Sequence, residues 1–183
     1  KLYQNLDALP RAFLVPLDRV TEVTQETTDR EILERMQAPD FDPATEAILV
    51  GDAEHIANIA AAIEAKSPPS EEEEGGRVQI RRYTAEQIEI EVNSQEPAIL
   101  LLTDAWYPGW QALANGRPVP IYRADLLFRA VPVGPGVQHI TLTFRPLSLL
   151  VGLELSGVAV IGLLLTLLSA TRSNSSQILW DAD

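Results

Sequence analysis

The sequence predicts a mainly β fold, a β-sandwich or jelly-roll-like domain with one or two short helices, followed by one C-terminal transmembrane helix. Three observations support this prediction: alternating polar and apolar residues after position 76, turn residues about every eight to twelve positions, and an apolar run near the C-terminus. Alternation indicates strands with one buried face, and evenly spaced turns are typical of sandwiches. We therefore expect a domain over residues 1–146, a membrane-spanning helix over 147–171 and a short tail over 172–183.

The predicted strands follow one another closely after residue 76. Residues 87–93 alternate polar and apolar without exception, and residues 98–103 form a continuous apolar run typical of a central strand. The dipeptide Asn115-Gly116 predicts a tight hairpin. Gly134, Pro135 and Gly136 mark a break between strands. Further strands are expected over 77–83, from Gly109 and Trp110, and over 119–122, 126–131 and 138–144.

The first part of the chain is mixed. Short strands are expected over 12–15 and 47–50, and helices over 29–36 and 53–66. Thr28 is the expected N-cap of the first helix, with Glu31 in the capping-box position. Four consecutive glutamates at 71–74 lie in a Pro- and Ser-containing stretch, which we interpret as a solvated loop.

The composition narrows the classes of function. The chain has 14 Lys and Arg against 26 Asp and Glu, and this net charge of −12 argues against nucleic-acid binding, which requires a basic surface. Cysteine is absent, which excludes disulfides, thiolate metal sites and cysteine nucleophiles. His55 and His139 have no second ligand nearby in sequence, so we expect no metal and no cofactor.

The apolar run between Pro146 and Arg172 has 25 residues, of which 14 are Leu, Val or Ile and one, Glu154, is charged. As a helix it spans roughly 37 Å, enough for a hydrocarbon core of ~30 Å. The aliphatic side chains favour insertion by roughly 4 to 8 kcal/mol, whereas one acid costs at most about 3 kcal/mol. The run therefore predicts a helix in a lipid bilayer, and the alternative of a buried core helix is weaker.

Small residues recur at four-residue spacing along this run. Gly152 and Ser156 form one such pair, and Gly162 and Thr166 form another. Such spacing allows close packing of helices in lipid, so these positions are candidates for contact with a partner helix. Glu154 lies about two turns inside the run, where it faces either the membrane interface or a partner.

The segment from Thr103 to Ala112 combines two Trp, a Tyr and a Pro-Gly turn. Asp104, Trp106, Tyr107 and Trp110 are its candidate ligand or partner residues. In one interpretation the rings stack on a sugar beside an acid. In the favoured interpretation they close the edge of the core, because aromatic residues are usually buried.

Several arginines are further candidates. A cluster of them would form an anion site, for instance for a lipid phosphate. Surface ion pairs with the acidic first part of the chain are the favoured alternative. The residues concerned are Arg81, Arg82, Arg123 and Arg129.

The order of short motifs resembles the C-terminal region of YfhO-family bacterial membrane proteins. The motifs are ALPRA at 8–12, YPGW at 107–110, the hairpin at Asn115-Gly116, a strand ending in a proline, Pro132, and Phe-Arg-Pro at 144–146 before the apolar run. The family usually has Asp where this chain has Asn115, and both suit the turn. Residues 53–76 look like an insertion, either a partner-binding loop or a tolerated surface excursion.

The resemblance implies an extracytoplasmic β domain held by a single-pass helix in the bacterial cytoplasmic membrane. The family is similar to polytopic GT-C glycosyltransferases that use lipid-linked sugars, whose catalytic acids are expected in other segments, so no catalytic position is carried over. We expect a non-catalytic structural or interaction module. It is either a single-pass accessory subunit of a larger membrane complex, for instance a respiratory or photosynthetic one, or an acceptor-binding or supporting domain of a YfhO-like glycosyltransferase. The expected partners are the bilayer, other membrane-protein subunits, and a glycan or lipid-linked sugar.

Overall fold

The structure, a computed structural model, describes residues 8–51, 53–63 and 76–177. The chain divides into two compact units, Lys1–Phe144 and Arg145–Asp183. Within the described residues, the first unit contains two β-sheets, two α-helices and a short 3-10 helix (Leu17–Arg19), and the second contains one α-helix. The chain is therefore mainly β, as its alternating segments predicted.

The sheets of the first unit contain eleven strands in the described residues. Sheet A has six strands in the order β1-β6-β10-β9-β3-β2, and sheet B has five in the order β4-β5-β11-β7-β8. All pairs are antiparallel except β2 with β3. The strands are β1 Ala12–Pro16, β2 Val20–Val23, β3 Ala47–Val50, β4 Arg77–Tyr83, β5 Gln87–Ser94, β6 Ala98–Ala105, β7 Trp110–Ala114, β8 Arg117–Val119, β9 Tyr122–Ala124, β10 Phe128–Val133 and β11 Gly136–Phe144.

The two sheets share one apolar core. Alternate residues of β5, β7 and β11 from sheet B meet alternate residues of β6 and β10 from sheet A. Examples are Leu100 of β6, Val131 of β10 and Ile140 of β11, and all three are fully buried. The first unit is therefore a sandwich whose inner faces follow the period-two pattern seen in the sequence.

Two helices cover sheet A where sheet B does not. Helix α2 (Ala53–Ala62) buries Ile56 in an apolar cluster with Leu49, Leu101 and Ala130 of sheet A, and its Ala60 is also fully buried. Helix α1 (Asp29–Met36) buries Ile32 beside Ile48 on the opposite face of β3. The helical part of the segment 53–76 thus contributes buried side chains to the core. The predicted end of this helix at 64–66 and the glutamates at 71–74 lie outside the described residues.

Two local signals in the sequence are confirmed in detail. Thr28 accepts a hydrogen bond from the backbone N–H of Glu31, whose carboxylate accepts one from the backbone N–H of Thr28. This reciprocal capping box begins α1. The hairpin between β7 and β8 turns at Asn115 and Gly116, with φ of 51° and 83°, as the two positive angles of its tight turn require.

Three elements differ most from the sequence-based expectation, and several other strand ends move by one or two residues. The strand β2 was not predicted, and the strand expected over 119–122 is instead two strands that separate at Pro120 and Ile121. The strand expected from 126 begins at Phe128, because Asp125 and Leu126 form a turn with φ of 45° and 71°. The sequence missed this turn because tertiary hydrogen bonds hold its two residues at positive φ.

Asp125 is held against β3 by a pair of hydrogen bonds. Its backbone N–H donates to the Ile48 carbonyl at 2.8 Å, and its carboxylate accepts from the Ile48 N–H at 2.7 Å. The side chain is buried, and burial raises the pKa of Asp125 to about 6, although the Ile48 N–H opposes the shift. The folded protein therefore protonates Asp125 at a higher pH than the unfolded chain does.

We expect the Asp125→Asn variant to lose a pH dependence that the wild type has. A carboxyl whose folded pKa lies above its unfolded value of 3.8 stabilises the fold fully below pH 3.8 and loses that contribution as the pH rises through 6. Between pH 4.5 and 7.5 the wild type should lose about 2 kcal/mol from this group. Asn still accepts the Ile48 N–H, so thermal unfolding across this range should show a flatter profile. Identical profiles for both proteins would contradict the prediction.

The second unit is the helix α3, Leu147–Gln177. Its described side chains over residues 151–166 are exposed, and large aliphatic ones lie among them. No helix within the described residues combines the length and apolar character needed to span a membrane.

Candidate functional site

The candidate site lies at one end of the sandwich, where both sheets contribute side chains. The pairing of β6 with β10 steps from Leu102 opposite Arg129 to Ala105 opposite Phe128, so a bulge accommodates Thr103 and Asp104. Bulges re-aim side chains and are frequent near functional sites. This bulge places the Asp104 carboxylate beside the Arg129 guanidinium.

Asp104 is surrounded by hydrogen-bond donors. Its Oδ2 lies 3.0 Å from Nη2 of Arg129, and its Oδ1 lies 2.9 Å from Nη1 of Arg11, which precedes β1. The hydroxyl of Tyr83, at the end of β4, donates to Asp104 at 2.9 Å and accepts from Arg11 at 2.7 Å. One carboxylate thus connects three strands from two sheets. The cluster consists of Arg11, Tyr83, Asp104 and Arg129, and its net charge is +1 because two arginines face one aspartate.

Aromatic rings cover the cluster on the side of sheet B. The Trp110 ring lies against the Arg129 guanidinium, with 4.2 Å between its centroid and the guanidinium carbon. Tyr107 and Phe144 pack edge-on with centroids 5.3 Å apart, and both contact Trp110. Stacking on an indole stabilises a buried cation, so Trp110 supports Arg129 as well as the core.

Burial dominates the electrostatics of the cluster. The Arg129 side chain is only 3% exposed. Desolvation lowers the pKa of Arg129, while the charge of Asp104 opposes that shift. The pKa of Tyr83 is raised, first by desolvation and then by its hydrogen bond to Asp104. The hydroxyl of Tyr83 therefore remains a proton donor to Asp104 at physiological pH.

A cleft of about 270 Å³ opens beside this cluster. We call it the arginine cleft, and its walls include Tyr83, Asp104, Tyr107, Trp110 and Arg129. Two of these lining residues carry buried N–H groups that have no acceptor among the described residues, namely Nε and Nη1 of Arg129 and Nε1 of Trp110. Buried polar groups nearly always have partners, so these three are exceptions among the described residues.

The predicted aromatic site is divided between two clefts. Asp104, Tyr107 and Trp110 meet in the arginine cleft, but Trp106 lies in a second cleft of about 350 Å³ with Tyr122 and Arg123. The favoured interpretation, in which the rings close the edge of the core, agrees with the packing of Trp110 against the inter-sheet core.

The four candidate arginines do not form a cluster. Arg81 and Arg82 pair with Glu91 and Glu89 of the neighbouring strand, and Arg123 pairs with Asp29. Of the four, Arg129 alone reaches the arginine cleft. The four arginines therefore do not form one anion site. Three of them form surface ion pairs, and of these only Arg123 pairs with the acidic first part of the chain, as the favoured alternative had it.

Arg11 and Tyr83 complete the cluster, and the sequence did not identify them as site residues. They lie 93 and 21 positions from Asp104 and reach it because the sandwich brings β1 and β4 to the same end. The only sequence signal that could have identified Arg11 as a site residue is its position in the ALPRA motif. The pairing of that motif with an aspartate had no local signature.

The candidate packing positions of α3 bond to their own helix. The Ser156 hydroxyl donates to the Gly152 carbonyl at 2.8 Å, and the Thr166 hydroxyl donates to the Leu163 carbonyl at 2.8 Å. Gly152 and Gly162 have open space around the Cβ position. Glu154 is exposed. A partner helix at these positions stays a prediction.

The fold and the cluster define a β-sandwich domain closed at one end by buried arginine–carboxylate and aromatic contacts and followed by an apolar helix. Residues 71–156 match the family described as "Bacterial membrane protein YfhO". This part of the chain is therefore a YfhO-family region, and it includes Tyr83, Asp104, Trp110 and Arg129. No match was found among curated proteins or among solved structures.

Proposed function

We propose that the chain is a non-catalytic, membrane-anchored module of a bacterial membrane protein of the YfhO type. Residues 1–146 form its extracytoplasmic domain, residues 147–171 cross the bilayer and residues 172–183 form a short tail. The observation that carries the proposal is the family match over residues 71–156, a range that includes β4–β11 and the start of α3. Within such a protein the module supports the membrane core or binds an acceptor, in keeping with the resemblance to lipid-linked-sugar glycosyltransferases.

The membrane anchor is supported by the exposed apolar side chains of α3. Leu153, Val158 and Leu163 are each more than half exposed, and the run from 147 to 171 contains a single charge. Apolar side chains around a whole helix require apolar surroundings. Insertion of the run is favoured by roughly 4 to 8 kcal/mol, which outweighs about 3 kcal/mol for Glu154.

The non-catalytic role is supported by the surroundings of Asp104. A general acid or base needs a free oxygen facing the substrate. Both oxygens of Asp104 instead contact donors from Arg11, Tyr83 or Arg129. This arrangement suits binding and positioning better than proton transfer.

The alternative of a single-pass accessory subunit in a larger complex has no observation of its own in its favour. The intact mass of the native polypeptide distinguishes the two. A mass several times the 20.1 kDa of this chain supports a domain of a polytopic protein, whereas a mass close to it supports a separate subunit.

We expect sodium carbonate at high pH to leave the full chain in the membrane pellet. Introducing two charges with Leu163→Arg and Leu164→Arg should cost about 6 kcal/mol of insertion and release the protein to the supernatant. Leu127→Arg is the matched control, because Leu127 is 59% exposed in a turn of the β domain and Leu163 is 61% exposed. Carbonate extraction of the wild type would contradict the anchor.

Orientation is tested by single cysteines, which the cysteine-free chain allows. Gln111 is exposed on β7, and Ser176 follows the apolar run in sequence. A membrane-impermeant maleimide should label Gln111→Cys in intact spheroplasts and Ser176→Cys after lysis alone. The opposite pattern would place the β domain in the cytoplasm.

A further inference from the structure

We propose that the end of the sandwich from which the chain continues into α3 inserts exposed side chains into the headgroup region of the bilayer. We call this surface the aromatic end, and it consists of Tyr83, Trp106, Tyr107 and Leu127. The inference rests on the proposed function, because it takes α3 to be the membrane anchor. It adds a second contact with lipid, which the β domain makes itself.

The four side chains lie at one end of the sandwich. The hydroxyl of Tyr83 donates to Asp104, which precedes Trp106 in the same segment of the chain. The backbone N–H of Trp106 donates to the Leu127 carbonyl, and Tyr107 lines the arginine cleft together with Tyr83. The exposed fractions are 46% for Tyr83, 39% for Trp106, 44% for Tyr107 and 59% for Leu127.

The turns at the opposite end of the sandwich contain no large apolar residue. They consist of Gln95-Glu96-Pro97, Asn115-Gly116 and Gly134-Pro135. At the aromatic end, the turns after β4, β6 and β9 contain or adjoin all four exposed side chains. Among the described residues of the first unit, the other large apolar side chains that are exposed, Leu33 and Leu113, lie on α1 and β7. Apolar residues concentrated at one end indicate a contact there.

The chain leaves the sandwich at this same end. Phe144, the last residue of β11, packs edge-on against Tyr107, with 5.3 Å between the ring centroids. Its backbone N–H donates to the carbonyl of Glu86 in the turn after β4. The helix α3 begins three positions later, at Leu147, and three residues of extended chain span at most about 10 Å. The proposed bilayer segment begins with this helix, so the covalent connection alone keeps Phe144 close to the headgroup region.

The side chains of the aromatic end suit that region. Trp and Tyr are enriched at both interfaces of membrane proteins, because an apolar ring with one polar group matches the boundary between acyl chains and headgroups. Leu127 adds an aliphatic side chain at the tip of a turn, where it is more exposed than the rings. We favour lipid over a protein partner, because lipid surrounds the proposed anchor and the anchor is covalently joined to this end.

A fluorescent probe at Leu127 tests the contact, and the cysteine-free chain allows a single label. The variant Leu127→Cys, labelled with NBD, is reconstituted as the full chain into vesicles of phosphatidylethanolamine and phosphatidylglycerol. We expect its emission to shift to the blue and to be quenched by a lipid that bears a nitroxide near the headgroup.

Gln95→Cys is the matched control, because Gln95 is exposed in a turn at the opposite end. The strand β6 connects the two ends and has eight residues, which span roughly 23 Å. A probe at that distance from the headgroups should be quenched about threefold less than the probe at Leu127.

The emission of Trp106 provides a second measurement, which decides if the labelled variant does not fold. In the Trp180→Phe variant, lipids brominated near the headgroup should quench the indole emission of the full chain. A further Trp106→Phe substitution should remove about half or more of that quenching, because Trp106 is exposed whereas Trp110 packs against the core.

Quenching of the Leu127 probe and of Trp106 by lipid supports the proposal. A blue shift without quenching by lipid would show that protein covers the aromatic end, and it would overturn the proposal. Equal quenching of the probes at Leu127 and Gln95, or no change in either, would also overturn it. Carbonate extraction tests α3 without involving the aromatic end. A chain that stays in the pellet while its Leu127 probe is not quenched contradicts this inference alone, whereas a chain released to the supernatant contradicts the anchor.

Discussion

Replacing Asp104 with Asn is expected to lower the free energy of unfolding by about 3 kcal/mol, because it leaves the buried Arg129 cation without its counter-charge. The amide retains the size of the carboxylate, so the loss reports charge and not volume. For a chain of this length the melting temperature should fall by about 6 to 12 °C. Thermal unfolding of the full chain in detergent, followed by near-ultraviolet circular dichroism, measures the change.

Asp40→Asn is the control for this prediction. Asp40 pairs with Arg35 at 3.0 Å, a distance equal to that between Asp104 and Arg129, but its side chain is 72% exposed. Exposed pairs contribute at most about 1 kcal/mol, so this variant should melt within about 4 °C of the wild type. Equal losses in the two variants would mean that burial does not set the strength of the Arg129 pair.

Replacing Gly134 with Ala is expected to cost about 3 kcal/mol, because helix α2 lies directly against this glycine. A Cβ there would lie 2.5 Å from the carbonyl oxygen of Ala60 and 2.8 Å from that of Ile63. Both atoms belong to the backbone, so the end of α2 would have to move. Ile56 and Ala60, which are fully buried, would lose contact with sheet A. Thermal unfolding of the full chain again measures the loss.

Gly116→Ala separates volume from backbone strain. Gly116 has a φ of 83° but no atom within 4 Å of the added Cβ, whereas Gly134 shows no positive φ. We expect a loss of about 1 kcal/mol from strain alone. If Gly134→Ala loses no more stability than Gly116→Ala, the end of α2 moves aside at little energetic cost and the prediction is wrong.

The sequence predicted those features whose cause lies within a few residues. The capping box of Thr28 and Glu31 and the hairpin at Asn115 and Gly116 each depend on hydrogen bonds or backbone angles set locally. The strand β2 was missed because Thr21 and Glu22 at its centre are exposed and polar, so it lacks the apolar pattern of a buried strand.

Part of the site was predicted because three of its residues lie within a few positions of one another in the sequence. Asp104, Tyr107 and Trp110 lie in one short motif whose composition was itself the signal. Arg11 and Tyr83 join them through the closure of two sheets, and an arginine or tyrosine at the end of a strand has no distinctive pattern. Trp106 lines another cleft although it directly precedes Tyr107, and the composition of the motif does not show which way each ring points.

The position of β1 at the edge of sheet A has a consequence for synthesis of the chain on the ribosome. Pro16 pairs with Ala98, 82 positions later. The ribosome adds roughly 5 to 20 residues per second, so the partner strand β6 begins to be synthesised about 4 to 16 s after β1. During that interval an apolar segment with unpaired backbone groups is open to chaperones or to aggregation. Slower elongation between residues 16 and 98 should therefore lower the yield of folded protein.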